Sequence, residues 1–191
     1  MARSADPRPE RPPLERDFRE AMRHVAAPVS VVTACVDGTP HGTTVSAFDS
    51  LSMDPPLMTV ALQRSSRLLA LVAPGTRLGV NVLSSTQASL AMRFARAAAD
   101  RFAGLDWTLL GGAPRLPRVH AWIGLEVRSL VPAGDHVVVI GAVVAAEAGT
   151  GRPLTYHDRL FGTHLPHPVE PIEAVEQTAP AVDDEPETQA S

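Results

Sequence analysis

A mainly β fold with flanking helices, arranged as an antiparallel barrel, is what this sequence predicts. Three observations lead there. Short apolar, β-branched segments recur along the chain with Gly, Pro and Asp clusters between them. These strands outnumber the helices and do not alternate strictly with them, which argues against a doubly wound parallel sheet. No G-x-G-x-x-G opens a helix, so a nicotinamide cofactor is not bound in the Rossmann manner.

The elements follow in order. Residues 1–16 alternate Pro, Arg and Glu and are expected to form a disordered arm. A helix is predicted over 18–25, where Phe18, Met22 and Val25 fall at three- and four-residue spacing. A β-branched strand over 29–36 stops at Asp37-Gly38, a strong hairpin signal. One strand over 42–52 follows, then another over 57–62, with Pro55-Pro56 breaking between them. A helical turn at 67–72, a strand at 78–83 and an Ala-rich helix at 87–99 come next. After a Gly/Pro loop at 111–117, two long strands, 122–131 and 136–146, flank a Pro-Ala-Gly-Asp turn. The single domain is placed at 17–164. The tail, 165–191, carries seven acidic residues and no arginine, and is expected to stay disordered.

Composition removes several chemistries. All 17 basic residues are arginine. A Walker-type loop and a Schiff-base enzyme both need a lysine, so phosphates here fall to Arg, hydroxyls or backbone amides. The lone Cys35 rules out an internal disulfide and cysteine-built zinc or iron–sulfur sites, and no metal is expected. Net charge is −4 with no dense basic stripe, so nucleic acid is not an expected partner. The N-terminus lacks the apolar core of a signal peptide and no run spans a bilayer; a cytoplasmic protein, without membrane contact, is expected.

The segment from Gly42 to Arg67 carries the chemistry. Thr43, Thr44, Ser46, Ser50 and Ser52 place five hydroxyls in a stretch of strand character, and Ser65 and Ser66 follow before an apparent helix. If 42–52 is one strand, Thr44, Ser46, Phe48, Ser50 and Ser52 share a face. Hydroxyls and backbone N–H groups without an acidic cluster suit a polar heterocycle carrying a phosphate, that is, flavin mononucleotide. An exposed antiparallel strand accounts equally well for the row taken alone. Ser65 or Ser66 as a helix cap, with Arg64 and Arg67 beside it, offers an anion site or an ordinary cap. Asn81 offers an amide and Leu83 backbone groups from the next strand. Gly134-Asp135-His136 is turn chemistry by itself.

Taken together, these features resemble the short-chain flavin reductase family, the FMN-binding split-barrel reductases of two-component monooxygenases. The shared stretches are F-R-E-A-M with P-V-S-V-V-T, T-x-x-S-A-F-x-S-L-S-x-x-P-P-L, Ser65-Ser66, V-N-V-L at 80–83, F-A-G-L-D-W at 102–107, G-D-H at 134–136 and P-L-T-Y at 153–156. Their order covers about residues 17–163. Pro28 stands where many relatives have Gly, and H-D-R-L-F after Tyr156 departs from the commoner aromatic-glycine-aromatic run.

The resemblance implies an antiparallel split barrel of Greek-key type that passes a hydride from NADH or NADPH to FMN or FAD. It implies free flavin as product, a partner monooxygenase or halogenase that uses it, and a homodimer. By position, Thr43, Thr44, Ser46, Ala47 and Phe48 would line the ring and ribityl chain, with Ser50 and Ser52 nearby. Ser65, Ser66 and Arg67 would face the phosphate, and Asn81 and Leu83 the ring. Phe94 and Arg101 would belong to a segment closing over the site, and His136 would contact the nicotinamide as the catalytic residue. The alternative is a flavin carrier or sensor on the same barrel. A pyridoxamine-phosphate oxidase relative fits less well, since its phosphate-binding Arg/Lys cluster is not evident and G-D-H has no place in it.

Overall fold

The computed structural model describes residues 13–96 and 100–167. Of the arm expected over 1–16, residues 1–12 lie outside the described residues, as do 97–99 and the tail from 168 onward. Residues 13–16 are helical, against the expectation of disorder, and the helix predicted over 87–99 stops at Ala95, where Arg96 turns extended. Helix α1 spans Pro13–Arg23, starting earlier than the apolar spacing predicted because Pro13 suits a first helical turn. Strands β1 (Ala27–Pro28), β2 (Ser30–Val36), β3 (Thr39–Val45), β4 (Phe48–Met53), β5 (Pro56–Gln63) and β6 (Arg77–Val82) follow. After helix α2 (Ala88–Ala95) come β7 (Thr108–Leu110), β8 (Ala113–Arg115), β9 (Ala121–Ala133), β10 (His136–Ala148), β11 (Leu154–His157) and β12 (Leu160–Thr163).

Seven strands form one antiparallel sheet in the order β3-β2-β6-β9-β10-β5-β4. The β2–β3 hairpin turns at Asp37-Gly38, both at positive φ, as the dipeptide predicts. β9 and β10 make a long hairpin with register shifts at Ile140/Gly141 and Val143/Ala145, and such bulges bend a strand pair.

The strand predicted over 42–52 is broken in two, and this is the main correction. β3 ends at Val45 on one edge of the sheet, and β4 starts at Phe48 on the opposite edge. Three Cα–Cα steps reach at most roughly 11 Å, so the two edges must curl towards each other at Ser46-Ala47. Ala61 N donates to Ala47 O at 2.8 Å across this seam. β3 and β4 do not pair, so the sheet is split-barrel-like and not a closed barrel.

Strand alternation divides the core in two. Val32, Val60, Leu78, Val80, Leu125 and Val139 pack on one side of the sheet. Val31, Leu83, Phe94, Leu116, Trp122 and Leu154 pack on the other side, beneath α2 and the β7–β8 hairpin. The loop predicted at 111–117 is partly that hairpin, turning at Gly111-Gly112, both at positive φ. A further sheet, β1-β11-β12, lies near α1, and the sequence reading did not anticipate its strands. No described helix is long and apolar enough to cross a membrane.

Candidate functional site

A cavity of about 550 Å³ opens where the seam, the β5–β10 end and α2 meet. Antiparallel register explains why distant motifs converge there. Gln63, the last residue of β5, pairs with His136, the first of β10. The Q-R-S-S-R turn and the G-D-H turn therefore lie side by side. Arg64 ties them: its N donates to Asp135 O at 2.9 Å and its Nε to Gly134 O at 2.8 Å.

The wall opposite is set by α2. Thr44 Oγ1 donates to Ala91 O at 2.6 Å, holding the helix against β3. Phe94 lies fully buried over Gly42, where an added Cβ would meet its ring at 2.8 Å, so glycine is needed for α2 to approach this closely. Phe94 also packs edge-on to Phe102 at 5.0 Å between centroids. Arg101 reaches back across the mouth, donating Nη1 to Gly42 O at 2.7 Å and Nε to Arg96 O at 2.9 Å.

The electrostatics are one-signed. Arg67 and Arg101 both line the cavity, and among the described residues no acidic side chain does. Burial, and then the charge of Arg67, lower the Arg101 pKa from its ordinary value. Two guanidinium groups held where they repel each other make a place for an anion. At the other rim, His136 Nδ1 donates to Asp135 Oδ1 at 2.7 Å, which holds the ring in place. That contact, together with the His136 charge, keeps the Asp135 carboxyl below the usual carboxylate range.

The expected site residues divide into two groups. Thr43, Thr44, Ser46, Ala47, Ser65, Ser66, Arg67, Arg101 and His136 line the cavity together. Phe48, Ser50, Ser52, Asn81, Leu83 and Phe94 are not among its lining residues. The break at Ser46-Ala47 carries Phe48, Ser50 and Ser52 away along the other edge, so the single hydroxyl face does not exist. Adjacent Thr43 and Thr44 both reach the cavity because the strand ends beside it.

Asn81 is fully buried in a structural network. Its Nδ2 donates to Val31 O at 3.1 Å and to Pro114 O and Thr33 Oγ1 at 3.2 Å, while Oδ1 accepts from Leu116 N at 2.7 Å. Leu83 and Phe94 belong to the core. The anticipated helix cap at Ser65 or Ser66 is also corrected. A three-residue 3₁₀ turn, Leu69–Leu71, follows with Leu68 at its N-cap and no side-chain cap. Ser65 and Ser66 are thus turn residues facing the cavity.

Gln63, Tyr156 and Phe161 also line the cavity and were missed as site residues. Tyr156 and Phe161 pair across β11–β12 with ring centroids 5.2 Å apart. Their hairpin turns on Asp158-Arg159 at positive φ, without the glycine that usually marks such a turn.

Residues 22–164 match the family described as "Flavin reductase like domain". The chain belongs to the flavin reductase-like family. It is 36% identical over 156 residues to the reductase component of 4-nitrophenol 4-monooxygenase/4-nitrocatechol 2-monooxygenase of Rhodococcus opacus, covering 81% of this chain and 84% of that one. It is 36% identical over 149 residues to an NADH:FMN oxidoreductase of Rhodococcus qingshengii, covering 74% and 78%. Among solved structures, the styrene monooxygenase flavin reductase of Pseudomonas putida S12 superposes with a TM-score of 0.72 at 33% identity. That likeness covers 80% of this chain and 99% of the other. As a flavin reductase-like protein, the chain keeps G-D-H and Ser65-Ser66 beside one cavity.

Proposed function

We propose that this protein is an NADH-dependent flavin reductase that reduces FMN and releases it to a partner monooxygenase. Residues 17–164 form the catalytic domain on this reading. The observation that carries it is the acid-free cavity holding Arg67, Arg101, Ser65 and Ser66 at one side and His136 at the other. Its volume falls within the range of small-molecule sites, about 300–1,000 Å³.

The donor set fits a flavin phosphate. Arg67 and Arg101 neutralise the dianion, and the Ser65 and Ser66 hydroxyls donate to its oxygens. Thr43, Ser46 and the backbone near Ala47 serve the ribityl chain and ring edge, and Val29 and Leu62 give an apolar surface beneath. Bound flavin supplies the redox chemistry, accepting a hydride equivalent from the nicotinamide. The protein's part is orientation: His136, fixed by Asp135, positions the donor over the cavity mouth. No general acid or base is required for a hydride step, in keeping with a cavity that no carboxylate among the described residues lines.

A homodimer is part of the proposal. Leu14 and Phe18, 79% and 63% exposed, form an apolar stripe on α1 that no described residue covers. Sedimentation of the purified protein at twice the chain mass supports that state, and a monomer opposes it.

The activity is tested by steady-state NADH oxidation with and without added FMN. Turnover that saturates in both establishes the reductase. Tight FMN binding without NADH oxidation establishes a carrier or sensor instead.

A further inference from the structure

A second cavity, of about 1060 Å³, adjoins the first and shares Ser46 and Tyr156 with it. Its walls are α1 and the β11–β12 hairpin. An FMN-sized ligand needs only the smaller space, so the larger one is room for something more.

Its charge is arginine-dominated, and the few acids are already engaged. Glu20 and Asp158 both accept from Arg23, the former at 2.7 Å. Asp158 N also donates to Arg23 O at 2.9 Å, clamping the hairpin tip to the helix. Arg19 and Arg159 line the same groove, and among the described residues neither has a carboxylate within ion-pair distance. Arg19 lies close enough to the G-D-H turn for its charge to help hold the Asp135 carboxyl down. Arg159 sits at φ 65°, next to Asp158 at φ 47°. A left-handed backbone at two non-glycine residues is unusual, and this one carries Arg159 to the groove.

We propose that Arg19 and Arg159 form a subsite for the adenosine diphosphate half of a dinucleotide whose redox half occupies the smaller cavity. The inference rests on the flavin reading of that cavity. Guanidinium groups bind diphosphate oxygens in a forked geometry, and the shared Ser46 and Tyr156 set the two cavities side by side. Two molecules carry this chemistry, FAD and NADH, and the test separates them.

The experiment compares the parent with Arg19→Gln/Arg159→Gly. Glycine suits the left-handed position, so the second substitution does not strain the turn. Flavin fluorescence gives Kd for FMN and FAD, steady-state kinetics with FMN gives KM for NADH, and calorimetry gives Kd for ADP alone. The subsite predicts ADP binding weakened about tenfold or more, with FMN within about twofold of the parent. A matching loss for FAD alone assigns the subsite to the flavin, and a rise in the NADH KM alone assigns it to the donor. Unchanged ADP, FAD and NADH values with normal FMN binding overturn the subsite and leave the flavin reading intact. A parent that binds no FMN overturns both.

Discussion

Arg67 and Arg101 face one cavity that no carboxylate among the described residues lines, and burial, then the charge of Arg67, lower the Arg101 pKa. A fold tolerates such a pair where an anion completes it. Arg101 also holds Gly42 O and Arg96 O, so Arg67 is the cleaner residue to change. Arg67→Gln is expected to raise the Kd for FMN about tenfold, the cost of one charge-assisted hydrogen bond. Riboflavin, which lacks the phosphate, serves as control and is expected to bind parent and variant alike. Equal losses for both flavins would place Arg67 elsewhere than at the phosphate.

His136 and Asp135 form the opposite rim. His136→Ala is expected to raise the KM for NADH well above tenfold of any change in FMN Kd, on the order of the loss of a positioned polar contact. Unaltered nicotinamide kinetics in that variant contradict the positioning role.

Asn81 separates structure from function. Replacing it with Leu leaves the buried Leu116 N–H without its acceptor and takes one donor each from the Val31 and Pro114 carbonyls, the latter still held by Thr33 Oγ1, a cost of about 1–3 kcal/mol in unfolding free energy. Urea denaturation reads this loss. Whatever fraction stays folded is expected to bind FMN normally, because Asn81 is not among the cavity's lining residues.

Gly42→Ala tests the approach of α2. The new methyl meets the buried Phe94 ring, and overpacking of this kind costs about 1–3 kcal/mol. Because α2 also anchors to Thr44, FMN affinity is expected to fall along with the melting temperature. A variant as stable as the parent would mean that Phe94 moves aside freely.

Most of the fold was legible in the sequence, and part of the expected residue set meets at one cavity. Asp37-Gly38, the β-branched run after it and the long 122–146 hairpin were legible because turn chemistry and strand period are local properties. The break at Ser46-Ala47 was not legible. Nothing local distinguishes T-V-S-A-F as one strand from two, since the break is dictated by where β2 and β5 offer their free edges. Asn81 looked available for the same reason: its partners come from Val31, Pro114 and Leu116, far away in the chain. Tyr156 and Phe161 were not read as cavity residues because the hairpin that pairs them turns left-handed at Asp158-Arg159 without glycine.

The clamp between α1 and the β11–β12 hairpin has a pH signature. Arg23, by hydrogen bond and charge, lowers the Asp158 pKa from its ordinary value. A carboxylate whose folded pKa is depressed contributes stability above its unfolded pKa of about 3.9, and that contribution fades as pH falls through the folded value. Asp158→Asn is therefore expected to be less stable than the parent at neutral pH. The gap should close below about pH 4, as the parent's carboxylate takes up its proton. Thermal melts across that range measure it, and a gap constant with pH contradicts the linkage.

The most direct measurement is anaerobic stopped-flow of the purified protein with FMN and NADH, following bleaching of the flavin's visible absorbance. The account predicts bleaching that requires the protein, saturates in NADH and slows in His136→Ala at low NADH. Flavin bound in the cavity but left oxidised by NADH would contradict the reductase assignment.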